Sequence, residues 1–294
     1  MAYIGLCTNK NKKAKNTGAS DQCLESRLER PVLSNGFKFA DINAFKDVNV
    51  WSNAIASKQL VPLYDVFELA DNSTEDNKYE TGNFSRVVEK GVEKISFECY
   101  LSPCSYEALK SYENSQYNEI FEFNKEGDYS GIFDKDGVGV RGRKITNLTA
   151  TRMRATKEKV PYVKVEITFE DKDDVLDQVI VSGDLSKEDL EGIFDISFNV
   201  IEATSTSLKF TVTSGCAGGT SVNTLTTSDL EIRSADGTVV PTSFIAPVNG
   251  VYEMTAAKLN TGLYLHSKGS VNDVITHSNA KYEAEPALIT VSAT

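Results

Sequence analysis

Three observations predict a mainly all-β chain: a β-sandwich or barrel-forming body with one packed helix, followed by an Ig-like β-sandwich at the C-terminus. Short runs of alternating apolar and polar residues recur along the sequence, and helical spacing is confined to a few stretches. Charge also falls abruptly near Ser197, with 13 Asp, Glu, Lys and Arg in the last 98 positions against 60 in the preceding 196. The resulting division is an extended arm over residues 1–36, a body over 37–196 and a sandwich over 197–294.

The arm is polar and rich in Asn, Lys and Ser, so it cannot bury enough apolar area to order itself without a partner. From Asp41 to Ser57 a broken helical pattern places Phe45, Val48, Trp51 and Ile55 at spacings of three and four. Pro62 lies beyond its end. Leu63 to Leu69 reads as a strand and Asn72 to Thr81 as a polar loop. A long hairpin is then expected, with Phe84–Val88 and Val92–Leu101 joined around Gly91 and with Ile95, Phe97, Cys99 and Leu101 inward.

Ser102-Pro103 opens a helix through Tyr106, Leu109 and Tyr112, with Ser as N-cap and Pro at the first helical position. Strands follow at Ile120–Phe123, Tyr129–Asp134, Lys144–Met153 and Tyr162–Phe169, the last with Val163, Val165, Ile167 and Phe169 on one face. Ser186 to Leu190 is a short capped helix. Beyond it, Leu208, Phe210 and Val212 line one face of a half-buried strand. Leu230-Glu231-Ile232 turns through Asp236-Gly237 into Val239-Val240, a hairpin signal. Val251–Met254, Gly262–Leu265 and Ala287–Val291 supply further strands, enough for an immunoglobulin-like sandwich.

The formal net charge is −11, and residues 1–196 carry 26 basic against 34 acidic side chains. Such a surface repels a phosphate backbone unless the fold assembles a basic patch. Lys10, Lys12, Lys13 and Lys15 form the one local excess, a solvated or partner-docking arm. The N-terminus lacks the basic and apolar regions of a signal peptide, and no segment approaches ~20 apolar residues, so cytoplasmic synthesis and no membrane are expected. The odd, scattered cysteines at 7, 23, 99, 104 and 216 do not suggest a disulfide framework; Cys99 and Cys104 read as buried apolar thiols.

Several motifs have bland readings. Gly137 to Gly142 match G-x-G-x-x-G, but a dinucleotide site needs that loop to open a helix, and here Arg143-Lys144-Ile145-Thr146 continues as strand. Asp134 and Asp136 start like a calcium loop, yet Gly137 comes too early and no Glu closes it. Glu170 to Asp174 is a solvated acidic loop. Cys216, in a Gly-rich loop, has only His266 (strand) and His277 (polar loop) as potential basic partners, and no orienting group. No constellation of nucleophile, base and stabiliser is complete, so no enzyme, cofactor or metal is expected.

In order and texture, residues 40–182 resemble the tail tube (major tail) proteins of long-tailed bacteriophages. The resemblance rests on the polar arm, the strand Pro62 to Leu69, a long loop, the stretch Gly82-Asn83-Phe84-Ser85-Arg86-Val87-Val88-Glu89-Lys90-Gly91-Val92, one helix and paired strands ending Ile167-Thr168-Phe169-Glu170-Asp171. It implies a virion protein made in the bacterial cytoplasm that associates with itself in stacked rings, commonly hexameric, and with other virion proteins, around a lumen where DNA is non-specific cargo. Arg86 and Lys90 in the hairpin, and Asp134, Asp136, Arg141 and Arg143 around the turn, are the expected subunit contacts. A head decoration or fibre protein carrying an Ig-like module, or a glycan-binding surface protein, is the alternative.

Overall fold

The computed structural model describes residues 7–8, 26–183, 185–215, 219–269, 271–277 and 279–291. The chain is mainly β and divides into two compact units, 1–190 and 191–294.

The first unit runs β1 (Cys7–Thr8), β2 (Leu28–Ser34), β3 (Lys38–Phe39), α1 (Ile42–Lys46), α2 (Val48–Ala56), β4 (Leu60–Pro62), β5 (Phe67–Asp71), β6 (Asn77–Thr81), β7 (Phe84–Glu89), β8 (Lys94–Cys99) and α3 (Pro103–Lys110). It continues through β9 (Glu119–Asn124), β10 (Asp128–Phe133), β11 (Val140–Arg141), β12 (Arg143–Met153), β13 (Tyr162–Phe169), a 3-10 turn at Lys172–Asp177, β14 (Gln178–Ser182) and a second 3-10 turn at Lys187–Leu190.

β9 organises this unit. One of its edges is shared by β10 and β12 and the other is taken by β2, whose far edge pairs with β4. Leu33 and Ile120 face a core that includes Phe97, Leu148, Val163, Val165, Ile167 and Leu109 of α3. Phe121, on the opposite face of β9, meets Phe39, Phe45 and Trp51 at ring-centroid distances of 5.4, 5.8 and 5.4 Å. A strand covered on both faces has no solvent side, which is why Glu-Ile-Phe-Glu-Phe-Asn is nearly all buried. β12 links two parts of the sheet. Its first residues pair with β9, and from Ile145 onward it pairs with β13, with an irregular step between Ile145 and Asn147.

The broken helical pattern over 41–57 resolves into two helices that meet at Asp47. Asp41 caps α1 by accepting from the Ala44 amide at 2.8 Å, and Asp47 ends α1 and caps α2 through the Asn49 amide at 2.9 Å. Buried Trp51 satisfies its indole N–H on the Phe45 carbonyl at 2.7 Å. Ser102 caps α3 with Pro103 at its first turn.

Several expectations need correction. Residues 28–34 are not arm: Leu28, Pro31, Val32, Leu33 and Ser34 are buried in the sheet, and the arm's lysines lie outside the described residues. The single strand expected over 63–69 is replaced by β4 and β5, separated by a connection in which the Leu63 amide donates to the Pro31 carbonyl at 2.8 Å. The loop expected at 72–81 contains β6. Most consequentially, Gly91 is not a turn. A Cβ there would lie 1.9 Å from the Thr74 carbonyl oxygen, so glycine is needed because two backbones approach closely. The turn is at Gly82-Asn83, with Gly82 at φ +56°.

The second unit holds β15 (Ile193–Ala203), β16 (Ser207–Ser214), β17 (Thr220–Ser221), β18 (Leu230–Arg233), β19 (Val239–Val240), β20 (Ser243–Val248), β21 (Val251–Thr255), β22 (Leu263–Ser267), β23 (Ile275–His277), β24 (Ala280–Ala284) and β25 (Ala287–Ile289). One sheet is ordered β20-β21-β16-β15-β24-β23 and the other β19-β18-β22-β25. Phe210, Val212, Tyr252 and Met254 from the first share one core with Ile232, Leu265 and Ile289 from the second. β15 pairs in parallel with β24, and it starts four residues before the expected boundary at Ser197. The charge drop marks the sandwich's polar faces, while the strand that founds it begins earlier. His277 ends a strand instead of lying in a loop.

Candidate functional site: a projecting β ribbon and its charged base

Residues 67–99 form one long antiparallel ribbon. Phe67 opposes Glu98 and Asp71 opposes Ile95; the Asn72 and Thr74 amides donate to the Lys94 and Val92 carbonyls at 2.7 and 2.9 Å; then Asn77–Thr81 pair with Phe84–Glu89. Every residue of β5, β6 and β7 is exposed. Two strands without a covering layer are marginal in water, so the outer half of this ribbon depends on its base or on a partner.

The register sorts the outer half into two faces. Tyr79 opposes Arg86 and Thr81 opposes Phe84, whereas Lys78 opposes Val87 and Glu80 opposes Ser85. Directly opposed residues share a face. One face therefore presents Tyr79, Phe84, Arg86 and Thr81, with Tyr79 57% and Phe84 54% exposed. The other is mostly polar and is tied by a Ser85 hydroxyl donating to Glu80 at 3.2 Å. Aromatics with an arginine are the composition of protein-binding centres. Val88, 68% exposed, sits at the irregular step of the pairing.

The base is fixed by ions. Asp76 accepts from the Gly91 amide at 2.8 Å and pairs with Lys172. Lys90 pairs with Asp173. Arg141 reaches Asp174 at 3.3 Å. Arg143, 7% exposed, grips Glu93, with Nη1 to Oε1 at 2.6 Å, and its guanidinium lies 4.0 Å from the centroid of the Phe169 ring. The hydrogen bond from Lys172, and then that from the Gly91 amide, holds the Asp76 carboxyl below its ordinary range. The hydrogen bond to Asp173 holds the Lys90 ammonium above its own. Sequence-adjacent Lys172, Asp173 and Asp174 thus each bind a different strand or connection around the base, an arrangement invisible to a reading of 170–174 as a solvated loop. A cleft of about 540 Å³ opens beside it, lined by Leu69, Val92, Ile95, Glu93 and Lys172 among others. Where the ribbon leaves the sheet, Glu68 adopts φ +48° at an irregular step between Phe67 and Ala70.

The six expected contact residues fall in three places. Lys90, Arg141 and Arg143 converge on the ribbon base, and Arg86 stands on its aromatic face. Asp134 and Asp136 lie apart, both paired with Lys38, which is 3.3 Å from Asp136. The Gly137 turn is confirmed: Gly137 has φ +65°, the Asp134 amide donates to the Gly139 carbonyl at 2.8 Å, and β11 and β12 follow. Sequence reasoning missed Tyr79 and Phe84 as a face, because their pairing partners depend on locating the turn at Gly82.

Cys99 is buried, and burial pushes its thiol up to about 12. Cys104 is disulfide-bonded, which corrects the reading of a buried thiol; it sits in the half-exposed first turn of α3, outside the apolar core. Cys216 lies outside the described residues. His266 opposes Glu231 on the β18–β22 pair, and burial lowers its pKa. Among the described residues, no group of His, Cys, Asp or Glu is placed to hold a metal, and no helix is long and apolar enough to cross a membrane. No protein family, curated protein or solved structure matches the chain.

Proposed function

We propose that this chain is a structural subunit of a tailed-bacteriophage virion, a tail tube protein that polymerises into stacked rings and carries a C-terminal Ig-like module. The observation that carries the reading is the β6–β7 ribbon, which displays Tyr79, Phe84 and Arg86 on a face that is exposed among the described residues. A chain gains nothing from an exposed aromatic face alone, and a partner that covers it converts a marginal hairpin into a packed layer. The partner proposed is another copy of the chain, docked where repetition around a ring multiplies a modest contact. Lys90, Arg141 and Arg143 serve this function by holding the ribbon at a fixed angle. The net charge of −11 suits a conduit along which DNA slides without sticking.

Negative-stain microscopy of the purified protein tests the reading. Rings or tubes are the expected result. A protein that stays monomeric at high concentration and instead binds capsids would favour a head decoration or fibre role.

A further inference from the structure

A second exposed cluster lies at the far end of β12 and β13. Arg152 to Lys159 contain four cations and one acid, so the lysines of the arm are not the one local excess in a chain whose net charge is −11. The loop is closed by Thr156, whose amide donates to the Lys159 carbonyl at 2.8 Å and whose hydroxyl accepts from the Lys159 amide at 3.1 Å. Lys159 is occupied by Glu98, but Arg152, Arg154 and Lys157 are exposed and form no ion pair among the described residues. Among the described residues most other cations of this unit are in ion pairs, including Arg30, Lys38, Lys90, Arg141, Arg143 and Lys172. Beside the loop, the register lines up a strip on the outer face of the sheet. Met153 opposes Tyr162, Val163 opposes Cys99 so that Tyr162 lies beside Tyr100, and Tyr100 packs edge-on against Phe67 at 5.1 Å. Phe67 and Tyr100 are each 44% exposed and Met153 38%.

We propose that this basic, aromatic end is a subunit-docking surface that receives an acidic surface of a second copy of the chain. The inference rests on the self-assembling reading above and names a contact separate from the ribbon. Charge complementarity selects the partner: acidic side chains outnumber basic ones in the rest of each copy, so these three cations find an opposite sign on another copy. Met, Tyr and Phe side by side match the composition of protein interface centres, and the cations of the adjoining loop border them. Nucleic acid is the weaker occupant, since a net charge of −11 repels phosphate over the Debye length while the patch offers three free cations.

The test compares wild type with R152E/R154E/K157E and with the charge-conserving R152K/R154K/K157R by sedimentation velocity at low and high salt, beside the melting curve of each. The triple-Glu protein should melt like wild type and associate at least about tenfold more weakly, the Lys/Arg exchange should associate normally, and wild-type association should weaken with salt. If wild type assembles and the triple-Glu protein matches it, this surface is not a contact while the self-assembling reading stands. If wild type does not assemble at all, both fall. A salt-dependent complex of the wild type with a 20-nucleotide single strand, or with anionic vesicles, that the triple-Glu change abolishes while assembly persists would overturn the second copy as occupant.

Discussion

Arg143 and Glu93 join the first residue of β12 to the base of the projecting ribbon, and the guanidinium, paired through both Nη atoms with that carboxylate, lies over the ring of Phe169. Planar, two-pronged pairing of this kind fixes direction as well as distance. Reversing Arg143 to Glu would set two carboxylates against each other at a site that is 7% exposed. Breaking a buried pair costs about 3–5 kcal/mol, so the variant should melt well below wild type. Arg143→Lys should fall between them, because one ammonium cannot match both oxygens or stack on the ring. Denaturant unfolding followed by tryptophan fluorescence, reporting on Trp51, measures this; equal midpoints for all three proteins would show that the pair does not hold the base.

The ribbon's aromatic face makes the opposite prediction. Tyr79 and Phe84 contribute little to the monomer because both are more than half exposed. The double variant Tyr79→Ser/Phe84→Ser should keep its unfolding free energy within about 0.5 kcal/mol, as surface changes do, yet lose ring or tube formation. Tubes of normal length from this variant, seen by negative stain, would remove the ribbon from the assembly contact.

Acid should loosen the base before it unfolds the body. Asp76 is held below its ordinary range by Lys172 and the Gly91 amide. A depressed carboxylate stabilises the folded base fully above its unfolded value near ~3.9 and ceases to do so as pH falls through the lower folded value. Hydrogen exchange at the Gly91 and Thr74 amides, corrected for intrinsic rate, should therefore accelerate below about pH 4 while the β9 amides stay protected. Asp76→Asn should show the faster exchange already at neutral pH. Uniform loss of protection across both regions would indicate global unfolding instead.

In the second unit, Tyr252 closes a buried polar triangle: its hydroxyl donates to the Val222 carbonyl at 2.7 Å and accepts from the Leu225 amide at 3.3 Å, while its ring stacks on Phe210 at 5.4 Å. Tyr252→Phe preserves the stack and orphans both backbone groups, at a cost of about 1–3 kcal/mol. A calorimetric transition assigned to this unit should move down. An unchanged transition would mean that water replaces the hydroxyl.

What could be read from the sequence and what could not divide along physical lines. Period-two alternation located β8, β13 and β16, and capping chemistry located the start of α3 at Ser102, because both signals are local. β2 was missed because Leu28-Glu29-Arg30-Pro31-Val32-Leu33-Ser34 does not alternate, Pro31 to Ser34 being buried in succession, and because Pro31 argues against a strand interior. The ribbon was misplaced because Gly91 carries the same letter whether it turns the chain or admits a neighbouring backbone. The base was unreadable for a different reason: Arg143 and Glu93 are fifty residues apart, and only the fold brings Arg143 to Glu93 and Arg141 to Asp174.

The boundary between the units gives the last prediction. By composition the sandwich starts at Ser197, but β15 begins at Ile193, and Ile193 to Ile196 are the residues that pair in parallel with Lys281 to Ala284. A fragment starting at 197 would strip β24 of this neighbour, leaving β24 and β23 attached to the rest of their sheet without a ladder through β15. It would also remove Ile196, which is 4% exposed within the shared core. Fragments 191–294 and 197–294 differ by six residues and should differ sharply in behaviour. The longer should unfold cooperatively with dispersed amide resonances, since a unit of this size buries a core of its own. The shorter should lose about 2–5 kcal/mol for the missing core side chain alone, and its β23 and β24 amides should exchange rapidly. Equal stability of the two fragments would show that the parallel pair is dispensable and would return the boundary to the position where the charge falls.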